Sequence, residues 1–354
     1  MYAGIFLSSI GVLMLQILLT RIFSFTIWYH LAYLTISTAL MGFGAAGSIL
    51  SAFPRWWQNA VPRFCALSAG GAGIATLLAL WVLAPWPLDP RQMTTDTWLF
   101  SGRLLGYYLV LSVPFILAGL AVATPLSAYP AYTNRLYASD LFGAGLGCLA
   151  AVASLTWLSG PAAIIVCTAV FLVAAAVYAE RGSLAIAMRV LTIVSLALVP
   201  FAENLLDFRP TASKVMGLAL SMEGTSIDYS KWSPVNRVDV IDERTGMQGF
   251  TFWGAYGINP NYRDYRPGGY SIQYDGHNGS TIYKIDEGLE SMRMLDQHIL
   301  RTPYFLHPNP QVLVIGVGGG IDVLNALRRN AAHVTGVELQ PITEIGRASC
   351  RERV

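Results

Sequence analysis

The first two hundred residues are a succession of apolar runs, each long enough to cross a lipid bilayer as a helix. A spanning helix needs about 20 mostly apolar residues, the length that matches the hydrocarbon core. Seven runs meet that requirement: 3–20, 27–52, 64–86, 104–128, 138–158, 161–179 and 184–202. In the first 200 residues the only basic side chains besides His30 are eight arginines, and they fall mostly in the breaks between runs. Pro54-Arg55-Trp56-Trp57 closes the second run with the basic and aromatic residues that favour a membrane interface. Charged residues make up 12% of the whole chain, against about 25% in a soluble globular domain. The expected fold therefore opens with an all-α transmembrane bundle of about seven helices over 1–202. The lipid bilayer is its first expected partner.

Several features inside the bundle carry two readings. Pro114 lies mid-run and is expected to kink the fourth helix. The clusters Gly42–Ser48 and Gly143–Gly147 hold small residues at the spacing that lets helix backbones approach closely in lipid. Packing is the main reading for both clusters, and a substrate path is the other. Arg21, His30 and Asp140 are ionisable groups at or beside the runs, where such groups are functional candidates. All three lie near run ends, from which a side chain reaches the interface, so interfacial anchoring competes with transport or proton relay. Orientation is open. Arg21, Arg91, Arg103, Arg209 and Lys214 fall on one side, and Arg55, Arg63, Arg135, Arg181 and Arg189 on the other, five each. The N-terminus has no basic leader ahead of its apolar stretch, so a cleaved signal peptide is not expected.

Beyond the bundle the composition becomes ordinary. Residues 203–234 read as a linker, and 235–300 as a small β-rich domain with a helix. Val235, Val238, Val240 and Ile241 form one strand-like run, and Phe250, Phe252 and Trp253 another. Ser271–Tyr274 and Thr281–Ile285 suggest a hairpin around Asp275-Gly276-His277-Asn278-Gly279. Leu289–Leu300 is expected to be a helix, with Leu289, Met292, Leu295 and Ile299 on one face. Asn278-Gly279-Ser280 matches a glycosylation sequon by chance. The four cysteines show no CxxC spacing, and the five histidines have no ligand spacing. No GxSxG, HExxH or P-loop occurs. No metal is expected, and the net charge of +2 gives no reason to expect a nucleic-acid partner.

Chemistry concentrates in Gln311–Pro341. Val312–Ile315 is a continuous apolar run, the pattern of a strand buried on both faces of a parallel sheet. Gly316-Val317-Gly318-Gly319-Gly320 follows as a turn, Ile321–Arg329 as a helix with Asn330 as its stop, and Val334–Val337 as a second strand ending in Glu338. Glycines let a backbone approach a ligand without Cβ interference, and a carboxylate ending the second strand can accept ribose hydroxyl hydrogens. The dinucleotide fingerprint GxGxxG places its third glycine five positions after the first, where this chain has Ile321. Glycines at 316, 318 and 320 instead make the GxGxG pattern of S-adenosylmethionine enzymes. NAD or FAD is the competing ligand.

With those residues in place, the chain resembles the multi-span bacterial membrane proteins that carry a spermidine-synthase-like domain. Arg135–Ala144 resembles a recurring start of a span in that family, and Trp232-Ser233-Pro234 through Asp239-Val240 the first strand of its small β-domain. Tyr274-Asp275-Gly276, Pro303–Leu306 and Gly316–Asp322 also fit. The resemblance implies that 301–343 begins an α/β Rossmann-like domain of the class I methyltransferase type. Its cofactor would be S-adenosylmethionine or decarboxylated S-adenosylmethionine, and its acceptor a polyamine or another small molecule. Gly316, Gly318 and Gly320 would line the nucleoside and methionine portion, and Glu338 would hold the ribose. Gln273 and Asp322 are assigned to the same cofactor site, with Tyr274 and Asp275 beside it. A cytosolic cofactor places the C-terminal domain in the cytoplasm, and the bacterial inner membrane is the expected location.

One departure stands out. Spermidine synthases usually carry an Asp within the glycine run, where this chain has Gly319, with Asp322 three residues later. Methyl transfer therefore stays beside aminopropyl transfer. Residues 344–354, EIGRASCRERV, read as a non-native tail resembling a translated sequencing adapter, with a natural basic tail as the alternative. On that reading native sequence stops near Thr343. The later carboxylates of such enzymes, including the general base, are then missing, and the chain is expected to be an inactive fragment. A transporter or sensor with a regulatory nucleotide-binding domain is the alternative from another functional class.

Overall fold

The computed structural model describes residues 1–222, 225–242, 269–283, 285, 288–297 and 299–344. Two compact units divide the chain: Met1–Thr211 with Trp232–Asn236, and Ala212–Lys231 with Arg237–Val354.

The first unit is helical. Its elements are α1 (Tyr2–Thr26), the short α2 (Tyr29–Ala32), α3 (Leu34–Ala52), α4 (Val61–Leu83), the short α5 (Gln92–Thr95), α6 (Thr97–Ala128), α7 (Thr133–Trp157), α8 (Gly160–Ala179), α9 (Ser183–Ala197) and α10 (Ala202–Leu205). Among the described residues six segments are long and apolar enough to cross a membrane, and the bent pair Ser183–Ala197 with Val199–Leu205 makes a seventh if it counts as one span. The unit has the make-up of a multi-pass membrane protein. The run expected over 27–52 is divided at Tyr33 between α2 and α3. α6 runs unbroken through Pro114 and Pro125, so Pro114 does not end its helix. Asp96 and Ser159 accept the Leu99 and Ala162 amides at the starts of α6 and α8, the preferred N-cap arrangement.

Small residues set the closest helix contacts. A Cβ on Gly143 would run into the Phe6 carbonyl oxygen, and one on Gly147 would lie 2.6 Å from that of Ile10. The pair Gly143/Gly147 thus seats α7 directly on the backbone of α1. A Cβ on Gly42 would come within 2.5 Å of Phe115 on α6. By contrast, Gly44, Gly47 and Gly145 have no such neighbour within 4 Å. Asp140 accepts a hydrogen bond from Ser9 at 2.5 Å, a second tie between α7 and α1. Trp232–Asn236 also belongs to this unit. The Trp232 indole lies 5.4 Å from the Phe25 ring, edge to face. Gly160 leaves room for it, and the Arg21 guanidinium donates to the Val235 carbonyl. Val235 is therefore a turn residue rather than the start of a strand.

The second unit carries α11 (Val215–Leu220) and a sheet of β1 (Ile227–Trp232), β2 (Arg237–Asp242), β3 (Gly269–Tyr274) and β4 (Asn278–Tyr283), in the order β1-β2-β3-β4. β3 is antiparallel to both β2 and β4. Val238, Val240, Tyr270, Ile272 and Ile282 form its apolar core. The expected hairpin is present with a tighter turn, in which Asp275 and Gly276 have φ of 49° and 70°. Such left-handed residues match the twist of the flanking strands. The run around Phe250, Phe252 and Trp253 lies outside the described residues, as does 345–354 of the expected tail. In place of one α-helix over 289–300 the chain forms 3-10 turns, Gly288–Gln297 and Ile299–Phe305. Met292 and Leu295 still reach the core, packing with Tyr283 and Leu324.

β5 (Gln311–Ile315), α12 (Ile321–Arg328) and β6 (His333–Val337) complete the unit, with β5 and β6 parallel from Gln311↔His333 to Ile315↔Val337. Asn330, at φ 55°, is the left-handed stop that its position suggested. The expected burial of β5 on both faces is not met: Leu313 and Ile315 are exposed, as are Val337 at the end of β6 and Leu339 beyond it. The physical reason is that α12 is one helix and covers one face of the pair.

Candidate ligand-binding site

The glycine turn joins β5 to α12. Gly316, Gly318 and Gly320 have φ of 79°, 51° and 96°, all in the region that penalises a Cβ. Gly319 is required for a different reason. A Cβ there would collide with the carbonyl oxygen of Thr281 on β4. The position at which the resemblance leads one to expect an Asp is therefore closed by backbone in this chain.

Every glycine amide of the turn is spent inside the unit. Gly316 donates to the Val337 carbonyl at 2.7 Å and Gly320 to that of Val317 at 2.8 Å. Gly318 donates to Glu338 Oε2 at 3.0 Å, and Gly319 to Ser280 Oγ at 2.9 Å. Diphosphate-binding turns work by presenting unpaired amides to the anion. These four glycines have none to present. The turn instead offers an acceptor. Glu338 Oε1 takes the Gln340 amide at 3.1 Å, so two backbone donors fix the carboxylate. A carboxylate has about four lone-pair sites, which leaves room for the two hydroxyl hydrogens of a ribose.

Three further residues border the turn or are kept from it. Tyr274 Oη lies 3.9 Å from where a Cβ on Gly318 would stand. Gln273 does not join the cluster. It pairs across the hairpin with Gly279, whereas Ser280, which touches the turn, pairs with Ile272. Successive side chains alternate between faces, so Gln273 belongs to the opposite face. There its Nε2 bonds Ser271 Oγ at 2.5 Å, and its buried Oε1 has no hydrogen-bond partner among the described residues. Asp322 lies in the first turn of α12, and with burial as the larger cause its charge raises the pKa of the Tyr304 phenol. Ser280 is the contact residue that sequence reasoning missed. Its only signal was a Ser in a hairpin.

Charged groups brace this frame. Asp296 takes both Arg328 and Arg329, at 2.7 Å and 2.5 Å, which ties the 3-10 turns to the end of α12. Hydrogen bonding to Arg328, reinforced by both positive charges, holds the Asp296 carboxyl below the usual carboxylate range. Arg237 clasps the fully buried Asp239, whose pKa burial nevertheless raises. Lys214 Nζ donates to the Asp275 carbonyl at 2.7 Å, and burial lowers its pKa to about 8. The Met216 amide adds a bond to the Gly276 carbonyl, so residues 214–216 hold the hairpin tip.

Comparisons with family models, curated proteins and solved structures each give no match for this chain.

Proposed function

We propose that this multi-pass membrane protein binds S-adenosylmethionine or its decarboxylated form, and that its second unit is the cofactor-binding half of a spermidine-synthase-like transferase. On this reading β5–α12–β6 opens a Rossmann-like fold of the class I methyltransferase type. The protein lies in the bacterial inner membrane with that unit in the cytoplasm. The observation that carries the reading is the glycine turn, with its amides engaged and a fixed carboxylate beside it. Such a site suits a ligand with a ribose and no phosphate, and disfavours NAD or FAD.

The residues present fit the group. Glu338 would orient the ribose, and the Cβ-free surface at 316–320 would accept the nucleoside and methionine portion. When bound, the cofactor supplies a sulfonium that makes an adjacent carbon electrophilic. The closed position at Gly319 favours methyl transfer over aminopropyl transfer, because the customary Asp has no room there. The bond from Ser9 to Asp140 gives the acid a packing role, which favours the transferase reading over a transporter.

Calorimetry on the full chain tests this. Glu338→Ala is expected to weaken S-adenosylmethionine binding about tenfold or more, since a hydrogen bond to a charged group is worth roughly 1.5–3 kcal/mol. Unchanged affinity sinks the ribose assignment, and tighter binding of NAD than of either sulfonium ligand sinks the ligand class.

A further inference from the structure

A groove of about 480 Å3 opens between α8 and α9, within the size range of about 300–1,000 Å3 usual for ligand clefts. Val173, Ala176, Val177 and Ile193 make its wall, and Glu180 and Arg189 are its charged residues. On α8 the lining falls at 173, 176 and 177, one helical stripe, and Glu180 follows at the turn into α9. Arg189 lies within α9 but reaches back, bringing a terminal nitrogen 3.5 Å from the Glu180 carbonyl oxygen. Long cationic side chains in membrane helices stretch in this way to keep the charge at the interface. Both charges thus gather at the turn end of a groove otherwise lined by apolar side chains and Thr192, whose hydroxyl donates to the Met188 carbonyl at 2.8 Å.

They are not spent on each other. Arg189 meets the backbone oxygen of Glu180, and the Glu180 carboxylate has no ion pair among the described residues. Glu180 is also held at φ 53°, a conformation that is unfavourable for a non-glycine residue.

We propose that the α8–α9 groove binds a phospholipid with a primary-ammonium headgroup, of the phosphatidylethanolamine class. An acyl chain lies along Val173, Ala176, Val177 and Ile193. Arg189 takes the phosphate, and Glu180 accepts hydrogen bonds from the ammonium. The pairing of opposite charges selects the lipid. A choline headgroup has no N–H to donate, and a net anionic glycerol headgroup meets the Glu180 carboxylate with repulsion.

The test uses the full chain, delipidated in detergent and then offered mixed micelles of phosphatidylethanolamine, phosphatidylcholine or phosphatidylglycerol, with bound lipid counted by native mass spectrometry. The wild type is expected to retain the ethanolamine lipid about tenfold over the other two, the factor that corresponds to 1.4 kcal/mol. Glu180→Gln is expected to erase that preference, and Arg189→Gln to lower retention of all three. Val173→Trp, which fills the groove from its open wall without disturbing the core, is expected to block all three. Equal retention by the wild type, a preference for phosphatidylglycerol, or an ethanolamine preference that survives Glu180→Gln would each overturn the proposal.

Discussion

Both units turn large apolar side chains outward, yet the same exposure has opposite meanings in each. In the helical unit Trp98 is 89% exposed and Phe142 75%; at the β5–β6 pair Ile315 is 79% exposed and Leu313 61%. A helix satisfies its own backbone hydrogen bonds, so an apolar exterior is stable once hydrocarbon surrounds it. A two-stranded sheet leaves edge N–H and C=O groups open, and hydrocarbon cannot satisfy them. Its bare face instead calls for other protein, as parallel sheets are normally covered on both sides. Exposure alone therefore does not identify the solvent. The state of the backbone beneath it does.

The contrast also predicts where small residues are indispensable, and by how much. The largest effect is expected at Gly143→Leu, which forces four carbons onto the Phe6 carbonyl and separates α7 from α1. Overpacking typically costs about 1–3 kcal/mol, and this position lies at the top of that range or beyond because the obstacle is backbone. Thermal unfolding in detergent should show it, with sulfonium-ligand affinity unaltered in whatever fraction stays folded. Loss of ligand affinity without loss of melting temperature would break the division of labour between the units.

Gly319→Ala is expected to give the reverse pattern, a smaller stability loss of about 1–2 kcal/mol together with loss of ligand binding. The clash is with Thr281, and relieving it moves the turn that Glu338 anchors. Retained binding would show that the turn is a packing device only.

The smallest effect concerns pH. Burial lowers the Lys214 pKa from 10.5 to about 8. Below pH 8 the lysine is charged in folded and unfolded chains alike, and the cost of burying that charge is fully present. As pH rises from about 8 toward 10.5 the unfolded chain binds the extra proton, so stability must increase. The difference in stability between wild type and Lys214→Met should drift in favour of the wild type over that window. A pH-independent difference would show that the ammonium is not desolvated.

Much of the helical unit was legible because length and apolarity are local properties. The break at Tyr33 was not, since Tyr29–Tyr33 holds no Gly or Pro to mark a helix boundary and only backbone geometry separates the helices. Leu289, Met292 and Leu295 misled for a different reason: a spacing of three fits the 3-10 period as well as an α-helical face. Strand β1, over IDYSKW, fell in the expected linker because it lacks an apolar alternation. At the candidate site the order of strand, turn, helix and acid could be read directly from residues 311–338. What could not be read were facts of register. Gln273 faces away from the turn because it pairs with Gly279, and Gly319 is obligatory because of a carbonyl 38 positions earlier in the chain (319 minus 281).

The two amides that grip Glu338 bear on which sugars a ligand can carry. A free glutamate must give up rotamer freedom when it captures a hydroxyl, at about 0.5–1.5 kcal/mol for a flexible side chain. Here that ordering is completed as the chain folds, so a ribose meets an acceptor of set position and direction. A carboxylate so held cannot follow a sugar that lacks its 2′-hydroxyl. In the proposed site, discrimination between ribo- and deoxyribonucleosides is thus built into the backbone of residues 318 and 340.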